Sequence, residues 1–174
     1  MKFKFQNSDA SRRTVLTGMA ASAAVLVLGE PASAWNDRPP QVARQRDRTL
    51  LNTGWRYVNG DPVGAEQRTF NDAGWSKVTL PHTWNAEDSI DDEAGYRRGA
   101  GWYRFSVRVD ERYTGKRLYL YFEGANQVAD VFVEGVRAGG HVGGYTAFCV
   151  EVTDQLAQVR PGQHATVAVR VDNT

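Results

Sequence analysis

The sequence predicts an all-β fold, either a β-sandwich or a jelly roll, and two observations lead to this prediction. Short runs rich in β-branched and aromatic residues are separated by Gly, Asn and Asp, and no long helical pattern lies between them. The chain has 174 residues, of which 41% are hydrophobic, which is enough to bury one real core. Many short strands without long intervening helices are typical of sandwiches and jelly rolls rather than of α/β folds.

The individual strands can be justified in chain order. The clearest is Gly101–Val109, in which Trp102, Phe105 and Val107 alternate with polar residues. Glu134-Gly135 is typical of a tight hairpin turn, because glycine readily takes a positive φ. The other predicted strands are Gly54–Val58, Lys77–Leu80, Arg117–Phe122, Val128–Val133, Val136–His141, Phe148–Val152 and Thr166–Val171, with one short helical turn at Asp154–Val159.

The N-terminal 34 residues have the pattern of an export signal. Arg12-Arg13 stands ahead of an apolar run, and the run is followed by Ala32-Ser33-Ala34, the small-x-small pattern that a signal peptidase accepts. The run is far shorter than the roughly 20 residues that span a bilayer. We therefore predict a twin-arginine signal peptide at residues 1–34, cleavage between Ala34 and Trp35, and no membrane attachment afterwards. The protein is expected in the periplasm or the medium.

Residues 35–47 are polar, contain Pro39-Pro40 and show no period, which predicts a flexible lead-in to a folded domain at residues 48–174. The formal net charge is +1, and the first 34 residues carry four basic and two acidic side chains, so the remainder is slightly acidic. Nucleic acid is therefore excluded as a partner, because it needs a basic face.

Cysteine and histidine give no catalytic or metal pattern. The lone Cys149 cannot form an internal disulfide and, within an apolar run, is interpreted as a small buried hydrophobe. His82, His141 and His164 lie far apart without metal-ligand spacing, so no metal and no cofactor is predicted.

Aromatic residues provide the core and one candidate binding position. Trp55, Trp75 and Trp102 lie in or beside strand patterns and are predicted to fill the core. Trp84 differs, because it follows Pro81 in a loop, and loops on a rigid sandwich are where binding groups gather.

A dense acidic stretch follows Trp84. It contains Glu87, Asp88, Asp91, Asp92 and Glu93 and runs on into Tyr96-Arg97-Arg98. Such a cluster could hold sugar hydroxyls, bind a cation or form a solvated, salt-bridged loop. A glycosidase needs two carboxyls at a fixed separation, which neighbouring residues on one loop do not provide. No catalytic residue is therefore predicted in this chain.

Seven motifs follow one another in a fixed order between about residue 48 and residue 174. They are Phe70-Asn71-Asp72-Ala73-Gly74-Trp75, Val78-Thr79-Leu80-Pro81-His82-Thr83-Trp84-Asn85, Gly101-Trp102-Tyr103-Arg104, Phe122-Glu123-Gly124-Ala125, Val131-Phe132-Val133-Glu134-Gly135, His141-Val142-Gly143-Gly144-Tyr145-Thr146-Ala147-Phe148 and Val169-Arg170-Val171-Asp172-Asn173. The ordered set resembles the first domain of glycoside hydrolase family two, which includes β-galactosidases, β-glucuronidases and β-mannosidases.

The resemblance implies a galactose-binding-like jelly-roll β-sandwich. It also implies an immunoglobulin-like domain and a TIM barrel further along a full-length chain, with the catalytic glutamates in the barrel. The chain is then expected to be an incomplete piece that hydrolyses nothing by itself. In this family the first domain lends loop residues to the sugar pocket. The matching candidates for substrate binding are Trp84, Asn85, Asp88, Tyr96, Arg97 and Arg98.

The favoured functional hypothesis is an exported, exo-acting β-glycosidase that acts on a β-galactoside or a related carbohydrate, with this domain shaping its pocket. The alternative is a free-standing carbohydrate-binding module without hydrolase activity. A third possibility is a purely structural domain that buttresses other domains or a dimer.

Overall fold

The computed structural model describes residues 3–8, 47–86 and 95–174. Within those ranges the chain forms ten strands, one short α-helix and two 3₁₀ turns. The strands are β1 Phe3–Ser8, β2 Arg48–Leu50, β3 Trp55–Asn59, β4 Ser76–Val78, β5 Ala100–Arg108, β6 Arg117–Phe122, β7 Val128–Val133, β8 Val136–Val142, β9 Phe148–Glu151 and β10 His164–Asp172; the helix is α1 Thr153–Ala157, and the 3₁₀ turns are Trp84–Ala86 and Glu111–Tyr113.

The strands make two antiparallel sheets. One sheet has four strands in the order β2-β1-β6-β9, and the other has six in the order β4-β3-β5-β10-β7-β8. Neighbours in space are often distant in sequence, as where β10 lies between β5 and β7. The predicted all-β jelly-roll sandwich is confirmed. The predicted hairpin turn between β7 and β8 is also present, with positive φ at both Glu134 and Gly135.

Alternating side chains of the two sheets fill the core. In β6, Leu118, Leu120 and Phe122 are buried, while the residues between them are partly exposed. Strand β10 lies inside the six-stranded sheet and has five buried residues, among them Val167 and Val169 at 2% and 0% exposure. Burial of every second residue is expected in a sandwich, because only one face of such a strand lies against the core.

The outer face of the six-stranded sheet is covered as well, by the segment between β3 and β4. Ala65 from that segment packs with Trp102 and Ala168, and partly buried Trp75 joins them. Strand β5 is consequently buried on both faces over Gly101–Arg104. The prediction that Trp55 and Trp102 are core residues is confirmed, since they are 1% and 4% exposed, and Trp75 is half-buried against the outer cluster.

One predicted burial is wrong. Cys149 is exposed rather than buried, because β9 directs Val150 into the core and the alternation turns its neighbour outward. Strand β1 lies inside the stretch predicted to be a signal peptide, and residues 9–46, with the predicted cleavage position, lie outside the described residues. In the part of the chain that the structure describes, no helix has the length and apolar character to cross a membrane.

Candidate functional site

A cavity of about 440 Å³ opens at one end of the sandwich, where the loops after β4, β6, β8 and β10 come together. Its wall combines aromatic, amide and carboxylate side chains with small residues. The lining residues are Pro81, His82, Thr83, Trp84, Asn85, Tyr103, Glu123, Gly124, Ala125, Asn126, Gly144, Val171 and Asn173. Because these residues come from four loops and two central strands, a rigid core holds the site.

Trp84 forms one side of the cavity and is itself fixed by the sheet beneath it. Its ring lies against the backbone of Gly101 so closely that a Cβ at that position would overlap the ring. The Tyr57 ring lies 6.0 Å from it, centroid to centroid. Gly101 is therefore required for close approach, and half-buried Trp84 presents the remaining part of its surface to the cavity.

Asn85 is the most unusual polar residue in this wall. Its Oδ1 atom is buried and has no hydrogen-bond partner among the described residues, while its backbone N–H donates to Thr83 Oγ1 at 3.3 Å. Buried polar atoms are nearly always hydrogen-bonded, and an unmade bond costs roughly 1–3 kcal/mol. A ligand hydroxyl or amine in the cavity could donate to this oxygen.

His82 and Tyr103 form a neutral pair in the same wall. The Nδ1 atom of His82 lies 2.9 Å from the Tyr103 hydroxyl, and Tyr57 packs against both rings. Burial lowers the pKa of His82 and raises the pKa of Tyr103. Both side chains are therefore uncharged near pH 7 and offer polar atoms without charge.

The opposite wall is built by the ends of β6 and β10. Asn173 Oδ1 accepts a hydrogen bond from the Gly99 N–H at 2.8 Å, and Asn173 Nδ2 donates to the Arg97 carbonyl oxygen at 2.9 Å. This ties the 95–99 segment to the end of β10. A Cβ at Gly144 would overlap the Asn126 side chain, so a glycine is needed for that amide to occupy its place.

The predicted site residues divide into three groups. Trp84 and Asn85 line the cavity. Tyr96, Arg97 and Arg98 are exposed and do not line it, because Asn173 holds the main chain of their loop beside the wall rather than over it. Asp88 lies outside the described residues.

Sequence reasoning missed His82, Tyr103, Glu123, Asn126 and Asn173 as parts of one wall. Each lies within or directly after a quoted motif, but Tyr103 falls in a strand pattern and the others in separate loops. Their convergence depends on strand order, which periodicity does not reveal. For His82, Glu123, Asn126 and Asn173, the position in segments that follow strands was the one available signal.

The described part of the wall offers groups that can bind a ligand. Glu123 is its one carboxylate as far as the described lining shows, whereas glycoside hydrolysis requires two. The described residues also contain no cluster of three or more His, Cys, Asp or Glu that could hold a metal ion. The arrangement can stack an aromatic ring on a ligand and exchange hydrogen bonds with it.

Comparison with known proteins shows which proteins this chain is similar to. No family model matches it. It is 39% identical over 129 residues to a β-glucuronidase of Bacteroides fragilis, an alignment that covers 74% of this chain and 17% of that protein. It is 34% identical over 135 residues to a β-galactosidase of Bacteroides ovatus, covering 74% of this chain and 16% of the relative.

A crystal structure of a Bacteroides uniformis β-glucuronidase superposes with a TM-score of 0.69 at 32% identity, covering 75% of this chain and 15% of that one. A second β-glucuronidase structure, described as belonging to glycoside hydrolase family 2, gives a TM-score of 0.64 at 30% identity over 71% of this chain and 13% of the other. Fold and relatives together define a jelly-roll domain of glycoside hydrolase type.

The chain belongs to glycoside hydrolase family two, as a counterpart of the N-terminal domain of these enzymes. It spans less than a fifth of the length of the relatives just described.

Proposed function

We propose that this domain forms one side of the sugar pocket of an exported, exo-acting β-glycosidase. Downstream immunoglobulin-like and TIM-barrel domains of a longer chain would supply the catalytic carboxylates. The observation that carries the proposal is a cavity walled by Trp84, by neutral hydrogen-bonding groups and by Asn85, whose buried Oδ1 has no partner among the described residues. This combination matches a sugar, whose ring faces stack on aromatic groups and whose hydroxyls donate and accept.

The dimensions support the proposal. A volume of about 440 Å³ falls within the range of roughly 300–1,000 Å³ usual for small-molecule sites. The wall offers an acceptor at Asn85, amides at Asn126 and Asn173, and the His82–Tyr103 pair. A pyranose ring presents hydroxyls around its rim, so several of these groups could be satisfied at once.

The charge of the wall favours a neutral sugar such as a β-galactoside. Glu123 contributes a carboxylate, His82 is held neutral by burial, and no Lys or Arg belongs to the described lining. Residues 87–94 follow directly in sequence and contain five acidic and no basic residues. The carboxylate of an acidic sugar, bound about 4 Å from Glu123, would be repelled by roughly 1 kcal/mol in water and by more in a desolvated pocket.

A β-glucuronide is the second candidate, because several relatives are β-glucuronidases and Asn173 holds the Arg97 main chain beside the wall. Measuring kcat/KM of the full-length enzyme on nitrophenyl β-galactoside and on nitrophenyl β-glucuronide distinguishes the two candidate substrates. We expect the galactoside to give the higher kcat/KM, and Glu123→Gln to improve the glucuronide relative to the galactoside. Preference for the glucuronide in the wild-type enzyme would refute the galactoside assignment.

The competing hypothesis of a free-standing carbohydrate-binding module makes a different prediction. A module must bind sugar by itself, whereas a pocket wall completed by a barrel should bind galactose only weakly when alone. Calorimetric titration of galactose into the 174-residue chain distinguishes them, together with inspection of the reading frame after Thr174 for barrel-like βα repeats. Tight binding by the chain alone would favour the module.

Export is proposed from the twin arginine and the Ala32-Ser33-Ala34 pattern. Mass spectrometry of the exported protein should find Trp35 at the N-terminus. Replacing both Arg12 and Arg13 with Lys should leave the protein in the cytoplasm, and continued export of that variant would refute the twin-arginine route.

A further inference from the structure

The end of β10 fastens two loops of the cavity wall through the main chain. The Asp172 carbonyl oxygen accepts a hydrogen bond from the Gln127 N–H at 2.7 Å, and the Gln127 carbonyl oxygen accepts one from the Gly143 N–H at 2.7 Å. Asn126 and Gly144, the chain neighbours of these two residues, line the cavity. The loops after β6 and β8 are thus held to β10 on one side of the cavity.

On the other side, Asn173 is joined to the segment of residues 95–99. Strands β5 and β10 pair up to Asp172, and the Asn173 N–H then donates to the Gly99 carbonyl oxygen at 3.2 Å. The Asn173 amide accepts from the Gly99 N–H at 2.8 Å and donates to the Arg97 carbonyl oxygen at 2.9 Å. Three hydrogen bonds therefore connect this one residue to the segment.

The 95–99 segment lies at the surface, beside the wall. Residues 95–98 are exposed, and Arg97 and Arg98 carry two guanidinium groups there. Exposed loop segments open locally at a low cost in free energy. The three hydrogen bonds from Asn173 therefore have a large influence on how firmly the segment stays beside the cavity.

The Asn173 amide also has hydrogen-bonding capacity left for a ligand. A side-chain amide has two N–H donors and an oxygen with two lone pairs. The 95–99 segment uses one donor and one lone pair, and Asn173 itself lines the cavity. A sugar hydroxyl can both donate and accept, so it matches the remaining donor and the remaining lone pair. Hydrogen bonds that share one amide strengthen one another by polarisation.

We propose that Asn173 is a positioning residue that couples sugar binding to the 95–99 segment. Its amide holds this segment, with Arg97 and Arg98, beside the wall and binds a sugar hydroxyl with its remaining donor or lone pair. A bound sugar then makes the segment harder to open. The coupling to the sugar rests on the proposed function, whereas the hold on the segment does not.

Limited trypsin digestion of the full-length enzyme tests the hold on the segment. Trypsin cleaves after arginine, and the carbonyl oxygen of the bond between Arg97 and Arg98 is the acceptor of the Asn173 amide. Cleavage at this bond should be about fivefold faster in Asn173→Ala. Asn173→Asp keeps the shape and the acceptor for Gly99 but lacks the donor, so it should also be cleaved faster. Wild-type cleavage rates in both variants would overturn the proposal.

The matched control is Asn71→Ala. Asn71 Oδ1 also accepts a main-chain hydrogen bond in an exposed turn, from the Ala73 N–H at 3.0 Å, but this turn belongs to the segment between β3 and β4 and not to the cavity wall. The variant should leave cleavage between Arg97 and Arg98 unchanged. An equal acceleration in Asn71→Ala would show that general loosening of the domain, and not the Asn173 amide, controls the segment.

Repeating the digestion with galactose tests the coupling to the sugar. Galactose that saturates each protein should slow cleavage after Arg97 about threefold in the wild-type enzyme and not in Asn173→Ala. KM for nitrophenyl β-galactoside should rise several-fold in Asn173→Ala with a smaller change in kcat, and Asn71→Ala should change neither. Equal protection by galactose in wild-type and Asn173→Ala enzyme would overturn the coupling. If galactose does not inhibit hydrolysis, the galactoside assignment fails instead, and glucuronic acid replaces galactose in the same test.

Discussion

The outer face of the six-stranded sheet and the cavity at its end both contain buried polar groups, but they differ in how fully those groups are satisfied. On the outer face Arg104 is 3% exposed, and its guanidinium donates to Asp72 Oδ2 at 2.9 Å and to the Gln67 carbonyl at 3.0 Å. In the cavity wall Asn85 Oδ1 is buried without a partner in the described structure. On the outer face, the completed hydrogen bonds serve to stabilise the fold. In the cavity wall, the missing hydrogen bond indicates a candidate ligand-binding position.

The outer-face network also includes charged groups that hold the covering segment down. Trp102 Nε1 donates to Asp61 Oδ1 at 2.6 Å, and Arg170 donates to Asp61 Oδ2 at 2.8 Å. The Arg170 guanidinium lowers the pKa of the Asp61 carboxyl. These hydrogen bonds fasten the 61–72 segment to β5 and β10.

The largest expected effect is that of Trp102→Ala. Removing a ring that is 4% exposed leaves a cavity under the covering segment and deprives Asp61 of a donor. The free energy of unfolding should fall by about 3–5 kcal/mol, which chemical denaturation would measure. A loss below about 1 kcal/mol would show that the outer cluster does not act as a second core.

Arg104→Met should have the next largest effect. It keeps most of the apolar stem but removes the donor of Asp72 Oδ2 and of the Ala65 and Gln67 carbonyl oxygens, while Asp72 keeps its ion pair with Arg56. We expect a loss of about 2–3 kcal/mol in unfolding free energy. The control is Arg137→Met, which breaks an exposed pair with Asp130 and should cost less than about 1 kcal/mol. Equal losses of unfolding free energy in the two variants would show that the buried Arg104 network stabilises the fold no more than an exposed ion pair does.

A smaller effect is expected from the titration of His82, which makes the free energy of unfolding depend on pH. Burial places the folded-state pKa of His82 below its unfolded value of about 6.5, so the unfolded chain takes up the proton first as the pH falls. Neutral His82 therefore contributes fully to the free energy of unfolding above about pH 6.5, and this contribution is lost as the pH falls toward the folded-state pKa. His82→Gln should reduce the slope of unfolding free energy against pH in this window, measured by denaturant titration at several pH values. An unchanged slope would contradict the neutral His82–Tyr103 pair.

The fold was predictable where apolar and polar residues alternate along a strand, as in β6 and β7, because one face of each strand must enter the core. The sequence pattern predicts that Arg104 is an exposed polar residue of an alternating strand, because periodicity does not indicate that residues 61–75 cover the outer face. Cys149 was misjudged for a related reason: the apolar run around it hid the alternation that turns it outward.

The candidate site was predictable only in part. Trp84 and Asn85 stand out as a polar and aromatic loop after Pro81, and both line the cavity. Tyr103 lies in β5 opposite Val169, and Asn173 follows the end of β10, so the long-range pairing of these two strands places both residues in one wall. Local sequence carries little information about such register, so the wall as a whole required the structure.

In the proposed function the unsatisfied Asn85 oxygen accepts a hydrogen bond from the sugar. The most direct measurement is KM for a nitrophenyl β-galactoside, together with Tm, in the full-length enzyme carrying Asn85→Ala. Removing an unpartnered buried oxygen should leave Tm unchanged or slightly higher, while the lost bond of about 1 kcal/mol, or somewhat more, should weaken binding several-fold. An unchanged KM with a clearly lowered Tm would show that Asn85 serves the fold and not the ligand.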